Sequence, residues 1–250
     1  MNLYLFEVPL GFPEGVRAVS SMGSVFHGAL MEQLPAEVAA HLHTEELRPY
    51  HQSILFTRER GAVWRFGVLD EGLFCLLWYV FSELAAIELR QKGFSVALGE
   101  PRLLQEATEE ALADAAFETD EVSRTVDCAF LTPTSFKRDG VYQMFPDAQL
   151  ILQSLLGRWR SFSERVRLDE PDLAERLAPA CRISSYRLQS APFSLERHTI
   201  YGFRGQLRFY FAGNDMVRRI FRLLFSFAPF AGVGIKTALG MGAVDVFWKE

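Results

Sequence analysis

The sequence predicts an α+β fold made of two consecutive βαββαβ units, one in residues 1–118 and one in residues 122–250. Three observations predict it. Short stretches of alternating apolar and polar residues, the mark of half-buried strands, recur between stretches with apolar residues at helical spacing. The order strand, helix, strands, helix, strand occurs twice. An acidic stretch, residues 109–121, parts the two copies and reads as a linker.

In the first copy, residues 3–8 alternate and read as a strand. Residues 20–34 read as a helix, with Met22, Val25, Phe26, Ala29, Leu30 and Leu34 at helical spacing. Residues 53–58, 62–68 and 73–78 read as strands, the last two parted by the turn-like Asp70-Glu71-Gly72. A helix over 79–92 is closed by Gly93, a common helix stop, and 94–98 starts the final strand. In the second copy, 126–131 is a strand ended by Thr132-Pro133-Thr134, and 148–162 is a helix. Strands follow over 183–188 and 199–211. Asn214 caps a helix that runs to about Phe227 and is stopped by Pro229, and 244–248 is the closing strand. Two such units side by side make a tandem ferredoxin-like (RRM-like) architecture. That architecture hosts many activities, so by itself it names none.

The 250 residues, 49% of them apolar and 22 of them Phe, suffice for one large core or two small ones and exclude a disordered chain. No apolar run reaches the roughly 18 residues that span a bilayer. The start of the chain, from Met1 to Glu7, lacks a basic opening and a cleavage site, so no signal peptide is expected. Cys75, Cys128 and Cys181 lie far apart and are odd in number, which points to a reducing compartment without a disulfide framework. The expectation is a cytoplasmic protein with no membrane partner. The net charge of −5 argues at first against a nucleic-acid partner. Its distribution softens that objection: residues 1–121 carry eight basic and nineteen acidic side chains, and residues 122–250 carry eighteen and twelve. A basic half can still hold a phosphate backbone.

The most informative segment is Gly232-Val-Gly-Ile-Lys-Thr-Ala-Leu-Gly-Met-Gly242. Two Gly-apolar-Gly triplets, Gly232/Gly234 and Gly240/Gly242, flank five residues that include Lys236. Glycine permits positive φ and close approach of another backbone, and successive N–H groups in such a loop can cradle phosphate oxygens. Lys236 adds a mobile positive charge at the same place. A P-loop is excluded because the Gly-Lys-Thr order is missing. A dinucleotide fingerprint is excluded because Thr237 stands where a third glycine belongs and a helix, not a strand, comes before. The plain alternative is a turn before the last strand, for which four glycines are excessive.

This segment, with the preceding Phe225-Ser-Phe-Ala-Pro-Phe-Ala231, resembles the C-terminus of the endoribonuclease branch of the repeat-associated RNA-binding superfamily of CRISPR proteins. The run Leu131-Thr-Pro-Thr-Ser-Phe136, followed by Phe145-Pro146 and the helix from Leu150 to Trp159, is similar to the family's central segment. Leu42-His43, with Ser53 ten residues on, is similar to its N-terminal segment. The resemblance implies tandem ferredoxin-like domains and metal-independent cleavage of CRISPR precursor RNA within repeats. The ribose 2′-OH attacks the neighbouring phosphate, leaving 2′,3′-cyclic phosphate and 5′-OH ends. It implies CRISPR repeat RNA as partner, no cofactor, and a place beside other effector subunits. The alternative within the same superfamily is a non-catalytic RNA-binding subunit of an effector complex. A third reading is an unrelated ferredoxin-like metabolic or regulatory protein.

Such chemistry needs a base, an acid and a cation for the phosphorane charge. Histidine suits the first two because its ordinary pKa is about 6.5. Of His27, His41, His43, His51 and His198, the family's catalytic pair falls by motif position on His27 and His43. His27 lies on the flank of the first helix's apolar stripe, where a side chain can face a cleft. A family lysine falls near Arg48 after one gap. His41-x-His43 lacks a convincing third ligand, so no metal site is expected. His198, in a hairpin, reads as structural. Arg218, Arg219 and Arg222 lie opposite the apolar stripe of the helix before the glycine loop and are expected to contact RNA backbone. Lys137, Arg138, Arg158 and Arg160 are secondary candidates.

Overall fold

The computed structural model describes residues 1–249 other than 46, 58–60, 120–121 and 196–197. The predicted strand end Arg58, the linker end Glu121 and the domain end Glu250 lie outside the described residues. The chain folds as an α+β molecule around two antiparallel sheets. Strand β1 (Asn2–Gly11) is buried along most of its length because both faces are used. Tyr4, Phe6 and Val8 enter one apolar core while Leu3 and Leu5 enter another, as the two-residue period of a strand requires. A 3-10 turn, Ser20–Met22, leads into α1 (Gly23–Met31), followed by α2 (Ala36–Thr44), β2 (Tyr50–Thr57) and β3 (Gly61–Val68).

The next stretch departs from the sequence reading. Residues 73–78 are not a strand but the first half of α3 (Glu71–Glu83). Asp70, read as a turn residue, is its N-cap and accepts the Leu73 N–H at 2.7 Å. A short apolar run does not by itself separate a strand from a buried helix turn. The predicted helix over 79–92 accordingly ends at Glu83, and β4 (Ala86–Leu89) pairs with β5 (Phe94–Leu98). Gly93, at φ +71°, turns that hairpin rather than closing a helix. The strand that completes the unit is β6 (Arg102–Thr108), which pairs with β1 from Asn2↔Thr108 to Glu7↔Arg102. The acidic linker is largely helix α4 (Glu109–Phe117), capped by Thr108, whose hydroxyl accepts the Ala111 N–H.

The second half follows its reading more closely. It comprises β7 (Thr125–Thr134), the small hairpin β8 (Phe136–Arg138) and β9 (Val141–Gln143), α5 (Ala148–Phe162), α6 (Leu173–Leu177), β10 (Cys181–Ser194), β11 (Thr199–Phe211), α7 (Asp215–Ala231) and β12 (Val244–Trp248). Asn214 caps α7 as expected, but Pro229 sits inside its last turn and Gly232, at φ +69°, ends it.

The second sheet runs β10-β11-β7-β12. In the first, β2-β3-β1 is continued on the far side of β1 by β6, with the β4–β5 hairpin attached at Leu10 and Gly11. Each half therefore orders its four principal strands second, third, first, fourth. The halves share one core: Leu3, Leu5, Leu69 and Ala116 pack with side chains of α5, α7 and the second sheet. Polar staples reinforce the seam. Arg65 on β3 donates to Glu7 at 2.9 Å and to Asp245 on β12 at 2.6 Å. Gly67 is required where the chains cross, since a Cβ there would lie 2.3 Å from the Phe230 carbonyl oxygen.

Candidate active site and nucleic-acid interface

His27 is buried in the middle of α1. Its Nδ1 shares a hydrogen bond with the Tyr50 hydroxyl, 3.0 Å away, at the start of β2. Burial pushes the His27 pKa down to about 4, and the charges of Arg48 and His43 push the same way. The ring is therefore neutral at pH 7. Burial also raises the Tyr50 hydroxyl well above its ordinary range, so it stays protonated.

His43 is exposed in the last turn of α2. Arg48, in the connection to β2, donates its Nε–H to the Leu42 carbonyl at 2.6 Å. The three predicted site residues thus sit close enough for Arg48 and His43 to act on His27. The other histidines lie elsewhere. His41 is exposed with Nδ1 3.9 Å from Glu45, His198 is exposed in the β10–β11 hairpin, and His51 is fully buried with Nε2 2.8 Å from the Pro229 carbonyl oxygen. Among the described residues, no group of three or more His, Cys, Asp or Glu side chains is arranged to hold a metal.

The glycine-rich loop follows α7 and packs against the base of α1. Gln52 on β2 donates to both the Gly23 carbonyl (2.8 Å) and the Ala238 carbonyl (3.0 Å), tying the loop to the helix that carries His27. A Cβ on Gly23 would lie 2.6 Å from the Leu239 carbonyl oxygen, and one on Gly240 3.1 Å from the Gly23 Cα. All four loop glycines have positive φ. The expectation that successive loop amides stand ready for phosphate narrows to the middle of the loop, from Lys236 to Ala238. Val233, Gly234, Ile235, Leu239, Gly240, Met241 and Gly242 all donate their N–H groups to protein acceptors. The glycines serve close packing, and the exposed group is Lys236, itself left-handed at φ +55°.

The basic face of α7 also differs from expectation. Arg219 donates to the Ala116 and Phe117 carbonyls and Arg222 to the Ala115 carbonyl, so both cap the C-terminus of α4. Arg218 pairs with Asp215 one turn back. Arg219 and Arg222 are thus held by the acidic helix that the sequence predicts as a linker; cations at a helix C-terminus meet its free carbonyls and dipole. Arg160 holds the Leu168 and Glu170 carbonyls, and Arg158 is buried. Lys137 and Arg138 remain exposed on the β8–β9 hairpin, Lys137 lying 6.0 Å over the Tyr142 ring. Tyr50 was not singled out from sequence, because a tyrosine opening an apolar strand reads as core.

A cavity of about 1090 Å³ lies near α2, but His41, Glu45, Asp70, Glu71 and Glu110 line it and none of His27, His43 or Arg48 does. Its acidic lining does not suit a phosphate backbone. Among the described residues, no helix is long and apolar enough to cross a membrane.

A family model described as CRISPR-associated endoribonuclease Cas6 matches residues 128–244. The chain is 30% identical over 230 residues to the CRISPR-associated endoribonuclease Cas6 of Mycobacterium tuberculosis (strain CDC 1551 / Oshkosh), covering 91% of this chain and 72% of the relative. It is 30% identical over 222 residues to that of Streptococcus thermophilus, covering 88% of this chain and 89% of the relative. A solved Cas6 product complex superposes with a TM-score of 0.79 at 24% identity, over 99% of this chain and 100% of that one. At that identity the likeness concerns the fold.

Proposed function

The chain belongs to the CRISPR-associated endoribonuclease Cas6 family, and on that premise we propose that it processes CRISPR RNA by cutting precursor transcripts within their repeats, without a metal. Residues 1–118 and 122–250 act as tandem ferredoxin-like domains. Supporting this is the strand order common to both halves, second, third, first, fourth. The repeat RNA is the partner, other effector subunits are further partners, and the setting is the cytoplasm.

The observation that carries the reading is the neutral, buried His27 with Tyr50 on Nδ1 and the charges of Arg48 and His43 beside it. With Nδ1–H donating to Tyr50 Oη, Nε2 is left as acceptor for the ribose 2′-OH proton. Its lowered pKa keeps the ring unprotonated at neutral pH and so able to accept that proton, though as a weaker base than an ordinary histidine. The 2′ oxygen bonds to phosphorus as the P–O5′ bond breaks, and His43 gives a proton to the departing 5′ oxygen. Arg48 stabilises the charge that builds on the phosphorane oxygens. The products are 2′,3′-cyclic phosphate and 5′-OH ends. Lys236 contacts RNA phosphate next to this cluster.

Repeat RNA should be cut as well in excess EDTA as without it, and a 2′-deoxy nucleotide before the cut should abolish cleavage. Cleavage of the deoxy substrate would overturn the internal-nucleophile mechanism. RNA bound tightly but left whole would favour the non-catalytic subunit.

A further inference from the structure

Arg158 is the one arginine of α5 that points into the seam, and it is 5% exposed. Its Nη1 donates to the backbone carbonyl of Arg48 at 3.2 Å and its Nη2 to the Thr237 hydroxyl. Among the described residues, no carboxylate forms an ion pair with it. A buried cation without a counter-charge is costly, and an apolar side chain of similar length is generally as stable or more so. Burial, and then the charge of Arg48, draw its pKa down to about 10, so it remains charged at neutral pH. Stability alone gives no reason for this residue.

What the guanidinium connects does give one. Thr237 follows Lys236 in the glycine-rich loop. Arg48 donates through Nε to the Leu42 carbonyl at 2.6 Å, one residue before His43, and its charge acts on His27. A line of hydrogen bonds therefore runs Thr237, Arg158, Arg48, Leu42. It joins the loop of the basic half to the helix turn of the acidic half that carries His43. Arg158 is too buried to touch RNA itself. A planar fork reaches the two acceptors from two separate nitrogens held in a fixed geometry, whereas an ammonium presents its three donors from a single nitrogen on a flexible stem.

We propose that Arg158 is a positioning residue that sets Arg48, and with it the catalytic cluster, according to the place of the glycine-rich loop. The inference rests on the endoribonuclease reading above. Four measurements on the full chain test it: thermal midpoint, repeat-RNA affinity, single-turnover cleavage at saturating RNA, and hydrogen exchange of the Arg48 Nε–H in the free protein. Arg158→Met should melt no lower than the parent. It should bind RNA within about twofold and cut on the order of 10-fold more slowly or worse, the signature of misplaced groups rather than lost binding. Its Arg48 Nε–H should exchange faster. Arg158→Lys should remain slow, because charge without the fork does not restore the bridge. Thr237→Val should slow cleavage, and adding it to Arg158→Met should cost little more, since residues acting in one line are not additive.

Parental cleavage by Arg158→Met with unchanged Arg48 exchange would overturn the proposal. So would a loss of rate that merely follows a loss of folding. If Arg158→Met does not fold, Arg158→Lys decides: slow when folded supports the proposal, parental overturns it. If the parent does not cut repeat RNA, the endoribonuclease reading falls. The Arg48 exchange rate then still decides whether Arg158 fixes that side chain.

Discussion

At the scale of single residues, burial decides what each histidine can do. His27 and His51 both sit out of water, and burial is the main reason each has a pKa near 4. Above about pH 6.5 both are neutral whether the chain is folded or not, and neither makes stability depend on pH. Between about 6.5 and 4 the unfolded chain takes up protons that the folded one refuses, so stability falls as pH falls. Each group accounts for a loss on the order of 3 kcal/mol by pH 4, at 1.36 kcal/mol per pKa unit. Urea unfolding from pH 7 to pH 4 should show the midpoint falling across that window, and His51→Gln should fall less steeply. Equal slopes for parent and variant would remove His51 from the account. In the sequence, His27 and His43 stand out as candidates because few residue types do acid–base work and the family resemblance marks their places. The contact of Tyr50 with His27 and the bridge made by Arg158, which the sequence offers only as a secondary basic candidate, do not, because both depend on partners distant in the chain. The hydroxyl of Tyr50 meets a helix 23 residues away, and Arg158 meets Thr237 79 residues away.

At the scale of elements, local signals served where caps and periodicity agreed. α5, β11 and β12 have the predicted bounds, and Asn214 opens α7. The reading failed over residues 70–93 and 99–117, where an apolar run and a capping Asp imitated a hairpin and an acidic helix imitated a linker, while the strand over 94–98 between them has the predicted bounds. The same error hid the fate of Arg219 and Arg222: a face opposite an apolar stripe looks solvated until the helix that covers it is known. The glycine-rich loop was legible as a special segment, but its glycines are used for packing. Gly240 has φ +115° and lies against Gly23, and a Cβ on Gly242 would lie 2.0 Å from the Val233 carbonyl oxygen. Gly240→Val and Gly242→Val should each destabilise the fold by about 1–3 kcal/mol, read as a lower thermal midpoint. Lys236→Ala should leave the midpoint alone and lower the salt dependence of repeat-RNA binding by roughly one phosphate contact. Glycine variants that melt like the parent would make the loop a spacer rather than a wedge.

At the scale of the whole molecule, an acidic half and a basic half are locked face to face by a shared core and by the Glu7–Arg65–Asp245 staple. The seam brings the glycine-rich loop to the base of the helix that carries His27. The central claim is that this arrangement separates holding RNA from cutting it, with His27 and His43 performing the cut. The direct measurement is single-turnover cleavage of repeat RNA beside equilibrium binding, for the parent, His27→Ala and His43→Ala. The account predicts that each variant cuts on the order of 10²-fold more slowly or worse, the usual range for acid–base groups, while binding at near-parental strength. Both variants cutting at the parental rate would contradict it.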